Sequence, residues 1–359
     1  MRAAIQAVCI AALLLSAGGR LAAQAPRPFQ AFVVPGADGE DDTLLFVDVI
    51  TGEITEVPAQ GDRYTVAGNA VLFIDRESGQ VLQATPDGSV SPHPFIQRTD
   101  TTHRMDWVVS RDNTHIAWTV TTLEADGTLS TLTRVATPDG TQARDVLVDG
   151  PLPGVRAFPV AFSVDSTTLY MDYQPDGLGA LTPYDEYAGL FAVRPDAPND
   201  ITSLPGEPGC YCGAGFGGDY FLRLAVSDDL TGFNLRLFDL QAQVEREISG
   251  SSPQNFTQGG DVLISDDGTR AIYAVAQVRD FGSPGQVVQS VFMLVDIDAG
   301  TQEQITVPQT LFIRPVAWTE GNEAIIFTSP TRPGTWKMNA DSGQLSQLSE
   351  ARYIGASGL

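Results

Sequence analysis

The sequence predicts an all-β protein assembled from a repeated four-stranded unit. Three observations carry that expectation. Short β-rich segments bounded by turn residues recur along the chain, and their first turns run from Ser110 to Thr319 in four steps over 209 residues, a mean period of about 52. Glycine and proline are abundant, 35 and 23 in 359 residues, which suits a turn-dense chain. With 43% hydrophobic and 18% charged residues, the chain holds enough apolar material to fill a core and is not a disordered one.

The chain opens with a segment of a different kind. Residues 1–25 read as an export leader: Arg2 is the positive start, Ala7 to Leu15 the apolar core, and Ala23-Gln24-Ala25 the cleavage site. The apolar run is shorter than the roughly 20 residues that span a bilayer, and Cys9 lies inside it, not after it as a lipidated cysteine would. An exported protein, periplasmic or secreted, is expected, with residues 26–359 as one domain. Cys210 and Cys212 then face an oxidising compartment. One intervening residue makes a strained ring, so a local disulfide is the first reading, with free thiols or a metal or redox role as alternatives.

Within the domain, one element is an apolar strand, a polar turn and a second strand. Ser110-Arg111-Asp112 precedes Ile116-Ala117-Trp118, Ser163-Val164-Asp165 precedes Leu169-Tyr170-Met171, and Ser265-Asp266-Asp267 precedes Ala271-Ile272-Tyr273. Ser227-Asp228-Asp229 and, loosely, Thr319-Glu320-Gly321 follow the same form. The other element is a hairpin with Asp or Asn before a glycine turn, as in Asp48 to Gly52, Asp296 to Gly300 and Asn339 to Gly343. Thr85-Pro86-Asp87-Gly88 and Thr137-Pro138-Asp139-Gly140 are near-identical variants. Alternation of the two elements gives about four strands per unit.

Carried by these residues, the chain resembles WD-repeat-like propellers of the TolB type over about residues 30–358. Proline is absent from the first turn, and glycine takes its expected place only at Gly268. The resemblance implies a single β-propeller and protein–protein interaction in the cell envelope. The first unit lacks an opening strand, while Arg352-Tyr353-Ile354-Gly355-Ala356-Ser357-Gly358 looks like the opening strand Arg63 to Gly68. The C-terminal segment is therefore expected to close the ring by joining the first blade, with seven blades and six or eight as alternatives.

Long departures from the period fall at about 171–189, 204–219 and 278–288, all on the rim of the b–c and d–a connections. Loops gathered on one rim of a rigid scaffold commonly carry function. Asp172, Tyr173, Asp176, Tyr184, Asp185, Glu186 and Tyr187 form an acidic-aromatic segment, and Arg279, Asp280 and Phe281 a mixed one. The favoured reading is a non-catalytic binding module that presents these residues to an envelope or extracellular protein or glycan. The alternative is an enzyme of lyase, lactonase or hydrolase type using the central channel, where Arg156, Arg223 and Arg314 would capture an anion from supposed innermost strands.

Other chemistries find less footing. A formal net charge of −23 with a single lysine, Lys337, argues against nucleic acid and anionic membrane surfaces. His93, His103 and His115 are the only histidines, so a metal site or a triad would need one of them to meet distant partners. The repeated serines each pair with an aspartate as turn chemistry. No cofactor is expected; Asp38 to Asp42 is spaced for calcium, but a solvated hairpin turn is preferred. The protein is expected to be monomeric.

Overall fold

The repeat folds as read. The computed structural model describes residues 27–37, 40–204, 211–227, 232–250, 253–280 and 282–358; the segment read as an export leader, Asp38, Cys210 and Phe281 lie outside them. Seven four-stranded antiparallel sheets form a ring, a seven-bladed β-propeller. The innermost strands are Gly61–Ala67 in blade 2, Thr102–Val109 in blade 3, Val155–Phe162 in blade 4, Ala214–Gly217 in blade 5, Gln258–Ile264 in blade 6 and Arg314–Thr319 in blade 7. Arg352–Ser357 supplies the innermost strand of blade 1, beside Phe29–Val34, Asp42–Asp48 and Ile54–Ala59. The ring is closed as expected: Tyr353 packs edge-on against Phe32 at 5.4 Å, and the Ser357 hydroxyl donates to the Gly68 carbonyl at 2.6 Å.

Alternating side chains put one apolar row on each sheet face, and neighbouring blades bury those rows together. Leu222, Phe233 and Leu235 of blade 5 meet Ile264, Tyr273 and Val275 of blade 6; Leu72 and Ile96 meet Met105, Trp107 and Trp118 between blades 2 and 3.

The turn reading is also borne out. Ser110, Ser163 and Ser265 donate to Asp112, Asp165 and Asp267 at 2.6–2.7 Å, and each hydroxyl accepts the amide five residues on, that of His115, Thr168 or Arg270. The left-handed position that Gly268 occupies is held in the other copies by Asn113 and Ser166, with φ near 58°. Asn113 is tolerated there because its amide bonds both the N–H and the carbonyl of Gly68 in blade 2, at 2.7 and 2.9 Å.

These turns should behave as local struts. Asp267 accepts from Ser265, from the Thr269 amide and from the Thr269 hydroxyl, and the amide bond first of all holds its carboxyl well below the usual range. Asp267→Ala is expected to lower stability by about 1–2 kcal/mol at neutral pH. Because the folded-state value is depressed, the deficit should shrink as the pH falls below the ordinary carboxylate range, read by urea unfolding at both extremes.

Candidate active site at the channel mouth

The inner strands all start at one mouth of the channel, and that is where the ring departs from regularity. Six of the seven inner strands carry a bulge against their neighbour. A bulge adds a residue to one strand and re-aims the side chains around it. Arg63 in blade 2 and Asp261 in blade 6 sit on such bulges with φ of 60° and 52°, and His103 is the extra residue of blade 3. Backbone held in the left-handed region by non-glycine residues costs free energy, and such strain gathers at working sites.

On one side of the mouth, three guanidinium groups from successive blades meet a single carboxylate. Asp106, 2% exposed, accepts from Arg63 at 2.6 Å, from Arg156 at 2.5 Å and, more weakly, from Arg104 at 3.3 Å. Burial opposes its ionisation, but the charges of Arg63, Arg156 and Arg104 outweigh it and hold the carboxyl below its ordinary value. Arg63 lies over Trp107 at 4.8 Å, and Arg156 lies over Phe158 at 4.4 Å and donates to Asp176 at 3.1 Å. Asp176 also meets His103 Nε2 at 2.7 Å.

On the other side, Arg314 grips Asp261 through two nitrogens at 2.5 and 2.7 Å and reaches Asp185 at 2.9 Å. Burial pushes Asp261 up to about 6 against the pull of Arg314, so it is ionised at neutral pH.

A strap, residues 176–189 of blade 4, crosses between the two sides. It leaves the blade through a short 3-10 turn, Leu178–Leu181, and docks on blades 6 and 7. Tyr184 is 2% exposed and packs edge-on against Phe312 at 5.8 Å, while the Asp185 amide donates to Asp261 at 2.7 Å. Gly260 permits that approach, since a Cβ there would stand 2.7 Å from the Asp185 carbonyl oxygen. The returning limb is pinned by a Tyr187–Cys212 backbone pair and by Arg223, which donates to the carbonyls of Cys212 and Tyr187 at 3.0 and 2.9 Å.

Two cavities flank the strap and share Arg63, Asp185 and Tyr187 in their walls. One, about 370 Å³, is lined by Arg104, Asp106, Arg156, Gln174, Glu186 and Tyr211 among others; the second, about 570 Å³, by Asp261, Arg314 and Thr328. Glu186 is half-buried, and burial first, then the charge of Asp261, raises its carboxyl to about 7. A larger hollow of about 650 Å³ lies between blades 1 and 2; of its three carboxylates, Asp48 and Asp87 are spent on their own turns and Glu53 accepts only a long bond from Thr51 at 3.5 Å.

The structure thus gathers Tyr184, Asp185, Glu186 and Tyr187 with Arg156 and Arg314 at one mouth. It scatters the rest. Asp172 is fully buried and anchors the strap by accepting from the amides of Ala188 and Gly189, and burial raises it to about 6. Tyr173 stacks on Phe191 at 4.5 Å, between blades 3 and 4. Arg279 is exposed on the hairpin of blade 6. Arg223 stands on the second strand of blade 5, Tyr220–Val226, and not on an innermost strand, because the true inner strand is the short run Ala214–Gly217 that the sequence reading placed in a loop. Cys212 is disulfide-bonded. Of the acidic run thought suited to calcium, Asp42 is buried and takes Arg76 at 2.8 Å and the Tyr64 hydroxyl at 2.7 Å. Among the described residues no three histidine, cysteine or carboxylate side chains are grouped to hold a metal ion.

The sequence reading counted Asp176 in the acidic-aromatic segment but did not single out Arg63, Arg104, Asp106 or Asp261 as site residues. One signal was available, an arginine near the start of five innermost strands: Arg63, Arg104, Arg156, Arg314 and Arg352.

No family model matches the chain, and no curated protein matches it. Solved structures do. A prolyl endopeptidase superposes with a TM-score of 0.62 at 13% identity, over 90% of this chain and 50% of that one. An oligogalacturonate lyase in complex with manganese gives 0.53 at 12%, over 90% and 86%. A puromycin-hydrolysing peptidase of Mycobacterium tuberculosis gives 0.55 at 13%, over 90% and 53%. The chain therefore spans about half the length of the two peptidases and most of the lyase. At such identities the likeness establishes the propeller architecture and leaves the TolB-type assignment without a matching family model.

These findings correct the favoured reading of a non-catalytic module. The propellers it resembles are named as enzymes, and the rim tyrosines meant to face a partner are instead folded inward, Tyr184 between blades 6 and 7 and Tyr187 against the apolar cluster of blades 4 and 5.

Proposed function

We propose that this propeller is an enzyme of the lyase, lactonase or hydrolase kind whose reaction takes place in the cavity at the channel mouth, with Glu186 as its acid–base group. The observation that carries the reading is that Glu186, a carboxyl raised to about 7, shares one cavity wall with Arg63, Arg104 and Arg156. A group that gives and takes a proton near neutral pH serves elimination and hydrolysis alike, and fixed cations beside it stabilise charge that develops in the transition state.

Among the similar structures, those nearly matched in length support a reaction in the propeller itself: the oligogalacturonate lyase, 86% covered, and a protein of Bacteroides fragilis described as a putative 6-phosphogluconolactonase, 97% covered with a TM-score of 0.50. The lyase holds manganese. The described residues of this chain do not offer a matching cluster, and no step is routed through a metal. The TolB-like turns lie at the opposite mouth and leave the chemistry here open.

The test is turnover by the purified protein on three substrates: an acidic oligosaccharide, followed by absorbance of the unsaturated product; a sugar lactone, followed by acid release; and a peptide, followed by amine release. Turnover of one of them that depends on Glu186 is expected. Failure on all three would overturn the reading.

A further inference from the structure

We propose that the substrate bears a carboxylate and that Arg104 is the residue that seats it, with Arg63 and Arg156 fixing its surroundings. This deepens the reading of the channel mouth as the catalytic site and rests on it.

The argument begins with charge. Arg63, Arg104 and Arg156 converge on Asp106, and Asp176 joins them through Arg156, so three fixed positive charges face two negative ones. Within this cluster one guanidinium is left without a carboxylate of its own, although the same cavity wall also carries Glu186 and Asp185, the latter paired with Arg314. Which guanidinium it is follows from the hydrogen bonds: Arg63 spends its terminal nitrogens on the Met105 carbonyl, Asp106 and the Trp107 carbonyl, and Arg156, 2% exposed, is divided between Asp106 and Asp176. Arg104 gives only Nε to Asp106, at 3.3 Å. Its two terminal nitrogens make no hydrogen bond among the described residues, and its side chain is 44% exposed where it lines the cavity.

A guanidinium whose terminal N–H groups are unspent presents parallel donors matched to the two oxygens of a carboxylate. A single guanidinium with its terminal nitrogens unspent matches one carboxylate. A dianionic phosphate would bring a second negative charge toward Asp106, Asp176 and Asp185, which the remaining cations do not offset. Seated on Arg104, the carboxylate would lie in the cavity that Glu186 also lines, held at one wall while a proton moves at the other.

The test reads binding and not turnover. Calorimetric titration of the full-length protein would use galacturonate and N-acetylglycine as carboxylates from two sources, galactose and N-acetylglycinamide as their neutral counterparts, and inorganic phosphate. At least one carboxylate is expected to bind while its neutral counterpart does not, and the arm that binds identifies a sugar acid or a peptide-like acid. R104Q should weaken that binding about tenfold or more, and R104K, which keeps the charge without the fork, should restore only part of it. R104Q is suitable because the side chain is exposed and holds one long bond; an unchanged unfolding midpoint confirms that it folds. The seat is overturned if neither carboxylate binds, if neutral counterparts or phosphate bind as tightly, or if R104Q binds unchanged. Carboxylate binding lost in R104Q but accompanied by no turnover on any substrate would instead sink the enzymatic reading and leave the seat standing.

Discussion

Asp106→Asn is expected to destabilise the protein by about 3–5 kcal/mol, the cost of removing one partner from a buried ion pair. The reason is that the carboxylate is shared. Arg156 is as buried as Asp106, 2% exposed each, so loss of the Asp106 charge leaves it with Asp176 as its remaining carboxylate partner. An asparagine of the same shape removes the charge and turns an NH₂ group toward donors. Sign and pH follow from the depressed carboxyl: its contribution is present above the ordinary unfolded value and fades as pH falls toward the folded one, so the deficit should be full at pH 7 and shrink in acid. Adding R104Q to the Asp106 variant removes one of the stranded cations, so the double variant should cost less than the two single losses together. Urea unfolding of all four forms measures this. A deficit below about 1 kcal/mol at pH 7 would show that the arginines do not depend on Asp106.

How much of this was readable beforehand depended on whether the signal was local. A Ser-x-Asp turn is a set of hydrogen bonds within six residues, so Ser110, Ser163 and Ser265 announced it, and five such copies announced the propeller. Closure was legible because Arg352 to Gly358 looked like the strand beginning at Arg63. The inner strand of blade 5 was not, for a packing reason. Gly213, Gly215 and Gly217 lie so close to Gly260, Val262 and Ile264 of blade 6 that a Cβ would approach to 2.6, 2.3 and 2.7 Å. A strand obliged to be glycine-rich reads as a loop, and the apolar run after it, with Arg223, was taken for the inner strand in its place.

The site was hidden for a different reason. Arg63 and Asp261 owe their positions to bulges with left-handed backbone, and nothing in a pattern of alternation marks where an extra residue will be accommodated. The strap tyrosines read as surface because loops carry no periodicity, yet Tyr184 reaches the apolar seam between blades 6 and 7. The acidic-aromatic segment and the pair Arg156 and Arg314 gave notice, but which further arginines join them required knowing which strands face the channel.

Glu186→Gln should produce a protein that is more stable and, if the proposed catalytic role holds, nearly inactive. Burial raises the carboxyl from 4.5 to about 7, so the folded protein holds that proton more tightly than the unfolded chain. Stability contributed by the group is then complete below the unfolded value and is lost as pH rises through the folded one. Glutamine has no charge to bury. It should match the native protein near pH 4 and exceed it at pH 8 by about 2 kcal/mol, allowing for the partial exposure of the site. Turnover should fall about 10²–10⁴-fold, the usual worth of a positioned acid or base, and the limb of the pH–rate profile near 7 should vanish with it. The pairing of these two outcomes is what separates a catalytic carboxyl from a structural one. A group retained for packing loses stability when replaced, whereas a carboxyl kept half-buried against its own solvation costs stability, as expected of a group kept for a chemical role. Loss of stability at pH 8, or a turnover rate that survives the substitution, would remove Glu186 from the mechanism and leave the charged mouth without its acid–base group.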